Sequence, residues 1–216
     1  LVQEKSAPAI IKGLSDSKHL NIGIIGYGGR GGHLVRGAGF ATTGWTTTVA
    51  ENARKNKLDK QFKTFMDQED LNCSLVGVCD LFDVRAEQGL DASQNEVRPG
   101  GKPKKTATRY RHYKDLLAND DIDAVIIATP DHWHSRITID AAKAGKHVYC
   151  EKGLTRTFEE TIKVYDVVKE TGITFQLGHQ NRQVEANEKA KQIVQQGLLG
   201  TINLVELTTN RNSPWG

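Results

Sequence analysis

A lysine directly follows an acid where an apolar run of the chain ends, in the sequence YCEKGLT that contains Glu151 and Lys152. A lysine in a partly desolvated site can act as an acid or a base near neutral pH. Alternatively, Lys152 is a surface residue that pairs with its neighbour Glu151. The residues alone do not decide between these two interpretations.

Two further apolar runs end in polar side chains, in the sequences ATPDHWHS and LGHQNRQ. His132 and His134 have a spacing that could serve a metal ion. No third ligand is evident nearby, so hydrogen-bonded loop histidines are the favoured interpretation and no metal site is predicted. With the lysine segment, these runs deliver one set of candidate residues: Thr129, His132, His134, Glu151, Lys152, His179, Gln180, Asn181 and Arg182.

A glycine-rich turn, GIIGYGGRGG, contains the pattern Gly26-x-Gly28-x-x-Gly31 between a strand-like run and a helix. Gly26 permits a tight turn, Gly28 lets the backbone approach a pyrophosphate, and Gly31 lets the helix pack closely on the strand. The amides at the helix start would face the phosphates. An ordinary strand-to-helix turn is the alternative, but the context favours dinucleotide binding.

An acid, Asp80, ends the second strand-like run. It can accept hydrogen bonds from the adenosine ribose hydroxyls and would repel a 2′-phosphate, which favours NAD over NADP. The number of residues between the glycines and Asp80 is larger than usual, because residues 41–72 lie between them. An acid that caps the next helix is the alternative, and Arg85 makes a weaker case for NADP.

The elements that must position these residues alternate between strand-like and helix-like patterns. Apolar runs predict buried strands over residues 19–26, 75–80, 123–129, 146–151 and 173–177. The alternation predicts an α/β fold, with a doubly wound parallel sheet and helices on both faces. Ligands of such a sheet lie beyond the carboxyl ends of its strands, where the candidate residues would collect.

The clearest helix is predicted over residues 157–171. Thr157 and Glu160 form a capping-box pattern at its start, and Gly172 is placed to end it in a left-handed conformation. Its apolar face is predicted from four residues at helical spacing: Phe158, Ile162, Tyr165 and Val168.

Composition fits a soluble globular protein, since 38% of the 216 residues are apolar and 25% are charged. No run approaches the roughly 20 apolar residues of a membrane span. The net charge of +3 makes no case for nucleic acid, and the three cysteines predict no disulfide framework. The first residue is not methionine, so a removed export signal is one explanation, and the compartment stays open between periplasm and cytoplasm.

Three regions are predicted along the chain. Residues 1–18 form a tail, and residues 19–180 form the dinucleotide-binding domain, in which residues 41–72 are an insertion with an extra helix. Residues 181–216 begin a truncated second α/β domain with a helix and then a strand over residues 201–209.

Four segments together resemble the glucose–fructose oxidoreductase / inositol dehydrogenase / MocA family, written Gfo/Idh/MocA. They are NIGIIGYGGRG, VCD, IIATPDHWHSRITIDAAKAGKHVYCEKGLT and GHQNRQ. The resemblance implies a Rossmann domain followed by an α/β domain that carries substrate specificity and homo-oligomer contacts. It also implies a tightly held NAD(H) or NADP(H), and oxidation or reduction at a carbon of a sugar or cyclitol.

The resemblance also implies roles for single residues. The lysine of the family's Glu-Lys-Pro motif is catalytic, and that role carries to Lys152. Thr129, Pro130 and His134 match positions that line the cofactor, and Gln180 and Arg182 match the segment at the nicotinamide end. The full candidate cofactor set is Gly26, Tyr27, Gly28, Gly29, Arg30, Gly31, Asp80, Thr129, Pro130, His132, His134, Glu151, Lys152, Gln180 and Arg182.

Two departures from the family pattern affect this expectation. Gly153 stands where the family usually has a proline that is commonly cis. The family's catalytic aspartate and histidine belong to the second domain, past Gly216, so the chain alone is expected to bind a dinucleotide without turnover. Two alternatives stay open: a glycoside hydrolase of the same fold that oxidises its substrate transiently with bound NAD, and a non-catalytic dinucleotide-binding module.

Overall fold

The structure is a computed structural model that describes residues 19–94, 106–180 and 184–206. Four stretches lie outside the described residues: 1–18, 95–105, 181–183 and 207–216. The predicted tail, the candidate residues Asn181 and Arg182, and the end of the predicted strand 201–209 fall in these stretches.

Six strands form one sheet in the order β3-β2-β1-β4-β5-β6. All of its pairings are parallel. The strands are β1 Leu20–Ile25, β2 Cys73–Cys79, β3 Thr108–Tyr110, β4 Ala124–Ile127, β5 His147–Glu151 and β6 Phe175–Gly178. This order is that of the doubly wound dinucleotide-binding fold, whose ligand site lies where the strand order reverses, here between β1 and β4. The predicted fold class is confirmed.

Eight helices are described between and after the strands. They are α1 Gly29–Gly37, α2 Thr43–Lys55, α3 Gln61–Met66, α4 Asp83–Ser93, α5 Tyr113–Leu117, α6 His134–Lys143, α7 Phe158–Thr171 and α8 Glu185–Gln195, and a 3-10 turn covers Asp131–Trp133. The predicted insertion, residues 41–72, contains α2 and α3 and therefore two helices rather than one. The edge of the Trp45 ring packs on Phe65, with ring centroids 5.3 Å apart, and connects these two helices.

The sheet is buried on both faces, as its continuous apolar strands predict. Ile24 and Ile25 are consecutive in β1 and are both almost fully buried, yet they pack into two different core clusters. One cluster contains Leu116 and Ile137 from α5 and α6. The other contains Val35 of α1 and lies on the opposite side, because successive side chains of a strand point to opposite faces.

The start and end of α7 follow the sequence prediction closely. The Thr157 hydroxyl accepts the Glu160 N–H at 3.2 Å. The Glu160 carboxylate accepts the N–H of Arg156, one residue earlier than a capping box requires. Gly172 has a φ of 66° and ends the helix in the left-handed conformation.

The predicted apolar face of α7 was wrong. Phe158, Ile162 and Tyr165 are exposed, whereas Val164 and Val167 are buried. The helix carries apolar residues at helical spacing on two stripes, and periodicity alone does not tell which stripe the sheet covers. The compact β-branched stripe is the one that packs inward.

The chain divides into two compact units, residues 1–178 and 179–216. In the second unit the predicted helix is present as α8. Residues 201–206 form no strand, which differs from the prediction for residues 201–209. A strand is defined by hydrogen bonds to a neighbouring strand, and the described part of this unit contains no other extended segment.

None of the helices in the described residues combines the length and apolarity that crossing a membrane requires.

Candidate dinucleotide-binding and catalytic site

Four neighbouring strands end at the same edge of the sheet. Asp80 follows β2, Gly26 follows β1, Thr129 comes soon after β4, and Lys152 follows β5. Adjacent strands lie about 4.8 Å apart, so the ends of β2 and β5 are separated by about 14 Å. The switch point between β1 and β4 lies at the centre of this edge.

The glycine-rich turn joins β1 to α1 in a way that only glycine allows at two positions. Gly26 has a φ of +92°, and a Cβ there would lie 2.8 Å from the Ala128 carbonyl. A Cβ on Gly31 would lie 2.1 Å from the Gly26 carbonyl oxygen. The turn and the close packing of α1 therefore both depend on missing side chains.

The start of α1 presents free backbone amides at this edge. The first helical hydrogen bond runs from Gly32 N–H to Gly28 O at 2.9 Å, so the amides of Gly29, Arg30 and Gly31 precede it. Gly28 provides no side-chain cap. Nothing lies within 4 Å of where a Gly29 Cβ would be, which leaves the approach to these amides open.

The Asp80 carboxylate is buried and holds the glycine turn. One oxygen accepts the Tyr27 N–H at 2.8 Å, and the other accepts the Phe82 N–H at 2.9 Å. Helix α4 begins at Asp83 with Phe82 as its N-cap residue, so Asp80 is not the capping residue of α4. Each carboxylate oxygen has two lone pairs, and one on each remains for a ligand hydroxyl.

Arg85 lies between the glycine turn and an exposed aromatic ring. Its guanidinium carbon is 5.0 Å from the centre of the Phe82 ring. Its Nη1 is 3.6 Å from where a Gly28 Cβ would be. A cation and an aromatic face therefore stand beside Asp80 on the side of the edge that the adenosine of a dinucleotide would occupy.

Helix α6, which follows β4, begins with the histidine that the resemblance assigns to the cofactor. His134 is only 1% exposed, and its Nδ1 and Nε2 lie 2.9 Å from Gly153 O and 2.8 Å from Thr129 O. Neither ring nitrogen is left for a metal ion. In the described residues, no three His, Cys, Asp or Glu side chains are grouped to hold one. Pro130 and His132 are exposed at the same strand end.

Thr129 has a buried hydroxyl oxygen that finds no hydrogen-bond partner within the described structure. A buried unpaired polar atom is costly, and one at a ligand-facing edge is explained by a ligand that supplies the partner.

The buried carboxylate of Glu151 pairs with α1 rather than with its sequence neighbour. Its Oε1 lies 2.7 Å from Arg30 Nη2, and the Tyr149 hydroxyl donates to the same oxygen at 3.4 Å. The hydrogen bond to Glu151 raises the pKa of Arg30 above its usual value. This pair connects the helix of the glycine turn to the end of β5. No sequence pattern predicts it, because Arg30 and Glu151 are far apart along the chain.

Lys152 is exposed at the open edge of the sheet. The alternative in which it pairs with Glu151 does not apply, since that carboxylate is engaged by Arg30. A lysine that acts as an acid or a base near neutral pH needs a partly desolvated site. The described residues of the first unit leave Lys152 exposed and do not form such a site. Gln180 is exposed and belongs to the second unit, and Arg182 lies outside the described residues.

These features fit a bound dinucleotide. Two positions accept only glycine, three amides precede the first hydrogen bond of α1, and the Thr129 hydroxyl finds no partner among the described residues. Anions bind at such helix starts because unpaired N–H groups and the helix dipole both favour negative charge.

Comparisons with known proteins agree with this geometry. The sequence model of the Gfo/Idh/MocA family, described as an oxidoreductase family with an NAD-binding Rossmann fold, matches residues 20–179. A levoglucosan dehydrogenase from Pseudarthrobacter phenanthrenivorans is 41% identical over 90 residues, which are 42% of this chain and 23% of that protein. A glycosyl hydrolase family 109 protein from Shewanella baltica is 35% identical over 97 residues, which are 45% of this chain and 21% of that protein.

A solved structure shares the fold. The crystal structure of a myo-inositol 2-dehydrogenase from Lactobacillus plantarum matches with a TM-score of 0.60 at 27% identity, over 86% of this chain and 43% of that one. The chain thus spans less than half the length of each of these three relatives.

Proposed function

Because the chain belongs to the Gfo/Idh/MocA family of oxidoreductases, we propose that it serves NAD-dependent oxidation or reduction of a sugar, sugar derivative or cyclitol. One observation carries the proposal: Asp80, the glycine turn, Thr129 and Lys152 follow one another along one edge of the sheet. Cofactor-binding groups and an exposed lysine thereby share the edge at which doubly wound folds bind ligands.

The residues at this edge have different roles in cofactor binding and proton transfer. The open amides of α1 bind the pyrophosphate, and the free lone pairs of Asp80 accept the ribose hydroxyls. When bound, the nicotinamide supplies the acceptor or donor of a hydride. Lys152 binds the reacting hydroxyl of the substrate and moves its proton as a general acid or base.

We propose NAD rather than NADP as the cofactor, since the Asp80 carboxylate would oppose a 2′-phosphate. Arg85 is a nearby cation that favours NADP, and it is engaged with the Phe82 ring. Calorimetric titration distinguishes the two cofactors. We expect NAD to bind at least about tenfold more tightly, a difference of about 1.4 kcal/mol. Undetectable binding of both dinucleotides at millimolar concentration would contradict the cofactor assignment.

We also propose that residues 19–180 act as the dinucleotide-binding domain and that residues 181–216 begin a substrate domain. The lengths of the relatives support this division, since the chain covers 43% of the inositol dehydrogenase chain. In the whole protein, the second domain would supply the catalytic partners of Lys152, the substrate contacts and the contacts of a homo-oligomer. The 216-residue chain alone is then expected to bind NAD without turnover.

The role of Lys152 is tested by Lys152→Met in the whole protein. We expect turnover to be lost while the Kd for NAD changes less than about threefold, because the methionine keeps the bulk of the side chain and removes the proton carrier. Lys143→Met is the matched control. Lys143 is also exposed, but it lies at the end of α6, on the side where the strands begin. Turnover that survives in Lys152→Met would show that Lys152 is an ordinary surface lysine.

A glycoside hydrolase that uses bound NAD is the second candidate, and the similarity to a glycosyl hydrolase family 109 protein supports it. In that reaction a sugar hydroxyl would be oxidised transiently to a ketone, which makes the neighbouring C–H acidic and permits elimination of the aglycone. Water would then add to the resulting double bond, and the hydride would return to the ketone at the end. Net NADH from a free sugar or cyclitol indicates the oxidoreductase, whereas aglycone release without net NADH indicates the hydrolase. A whole protein that binds NAD and does neither would be a non-catalytic module.

A further inference from the structure

One imidazole bridges two strand ends of the candidate site. The ring of His134 lies between the carbonyl oxygens of Thr129, after β4, and Gly153, after β5, with both nitrogens within 2.9 Å of an oxygen. We call these two contacts the His134 bridge. His134 is only 1% exposed, so its ring nitrogens are shielded from water.

The chemistry of the bridge requires the histidine to be a donor. A backbone carbonyl only accepts hydrogen bonds, and an imidazole carries at least one N–H in every protonation state. Either neutral tautomer donates to one of the two carbonyls, and the doubly protonated ring donates to both. The Nδ1–H tautomer and the doubly protonated ring donate to Gly153 O, and in these states the side chain restrains the turn after Lys152 from a buried position.

Gly153 needs such a restraint because it has none of its own. Its backbone is not in the left-handed region, and nothing lies within 4 Å of where its Cβ would be. A residue without a side chain has more backbone freedom than any other. The His134 contact is therefore a restraint on the Gly153 carbonyl that the glycine itself does not supply.

Lys152 thus lies between two restrained neighbours. On one side, Glu151 is held by Arg30 of α1, and on the other, Gly153 is held by His134 of α6. The lysine itself is exposed and lies at the open edge. Its backbone is restrained, and its amine is free to reach a ligand.

We propose that His134 is a positioning residue for Lys152. His134 acts by fixing the Gly153 carbonyl from inside the fold. The proposal rests on the catalytic role proposed for Lys152. It assigns His134 to the backbone of the site rather than to direct contact with the cofactor. A displacement of about 1 Å at a reacting group can lower a rate by roughly 100-fold, so a single restraint of this kind is sufficient to affect catalysis.

Hydrogen–deuterium exchange tests the bridge without any need for turnover. In the whole protein, His134→Phe removes both ring nitrogens and keeps an aromatic ring, and Ile137→Ala is the control because it weakens the core from the same helix. We expect faster exchange of the amides of residues 151–157 in His134→Phe and not in Ile137→Ala. Equal exchange in the two variants would overturn the bridge.

Single-turnover kinetics test the positioning role. We expect His134→Phe to slow the chemical step about tenfold or more while the Kd for NAD stays within about threefold, and Ile137→Ala to leave the chemical step unchanged. His134→Gln should restore most of the rate, because its amide offers two N–H donors. Adding Gly153→Ala to His134→Phe should restore part of it, because alanine has less backbone freedom and there is room for its Cβ. An unchanged chemical step in His134→Phe would overturn the proposal.

Two outcomes need separate readouts. If His134→Phe does not fold, NMR of the wild-type protein decides, since the proposal requires a His134 Nδ1–H that is protected from solvent and coupled to the Gly153 carbonyl. The absence of such a proton would overturn the proposal. If the wild-type protein turns over no sugar, cyclitol or glycoside, the proposed function fails, and the exchange comparison still decides whether His134 holds the turn.

Discussion

Gly31→Ala is the substitution that tests the glycine turn most directly. Gly31 lies in α1, and an added Cβ would be 2.1 Å from the Gly26 carbonyl oxygen, where contacts under 3.0 Å do not occur. The obstacle is backbone rather than a flexible side chain. Helix α1 would have to move from β1 by roughly 1 Å, and the amides at its start would move with it.

The expected cost follows from two opposing effects. Overpacking of this kind costs about 1–3 kcal/mol, and the upper end applies here because backbone must shift. Alanine in a helix gains up to about 1 kcal/mol over glycine. A net loss of about 2 kcal/mol is therefore expected, which corresponds to roughly 4–8 °C in Tm for a chain of this size.

Gly37→Ala is the matched control in the same helix. Nothing lies within 4 Å of where its Cβ would be, so only the helix preference changes, and a gain of about 0.5–1 kcal/mol is expected. Urea unfolding measures both stabilities, and calorimetry measures NAD binding, which should weaken at least about tenfold in Gly31→Ala alone. A Gly31→Ala protein as stable as Gly37→Ala that still binds NAD normally would refute the close approach of α1 to β1.

Three more substitutions give distinct expectations. Asp80→Asn should weaken NAD binding by about tenfold in calorimetry, since an amide has one oxygen where the carboxylate uses two. It should also reduce the preference for NAD over NADP, because the negative charge is removed. An unchanged preference would contradict the role of that charge. Arg30→Met should cost about 1–3 kcal/mol in urea unfolding because it leaves the buried Glu151 carboxylate without its partner, and adding Glu151→Gln should recover part of that loss; strictly additive effects would argue against the pair. Burial raises the pKa of Tyr27 from 10.0 to about 12 despite Arg36, so the folded state keeps a proton that the unfolded state loses, and stability should fall as pH rises from 10 through 12. Tyr27→Phe should lose less stability over that window and little at neutral pH, and identical alkaline unfolding of the two proteins would contradict this assignment.

The exposed stripe of α7 shows where periodicity stops being informative. Phe158, Ile162 and Tyr165 have the spacing of a buried face, and so do the smaller residues Val164 and Val167. Spacing identifies which residues share a face of a helix. Which of the two apolar faces is covered depends on the shape of the sheet and of α6. The sequence of α7 alone contains no information about these surfaces.

The strand predicted over residues 201–209 shows a second limit. Its pattern of alternating apolar residues is typical of a strand, yet residues 201–206 are not paired. A helix completes its hydrogen bonds within its own segment, whereas a strand needs a partner. Helix α8 is therefore present in the second unit, and a strand is not found in its described residues.

By itself, the sequence determined the features that depend on neighbouring residues: five of the six strands of the sheet, without the short β3, the glycine turn at Gly26 and the left-handed end of α7 at Gly172. Each follows from side-chain size or backbone freedom within a few positions, so local pattern is sufficient. Only the tertiary structure decided the partners across the fold. It pairs Glu151 with Arg30 rather than with Lys152 and encloses His134 between two carbonyls, because such contacts depend on which strand ends the sheet brings together.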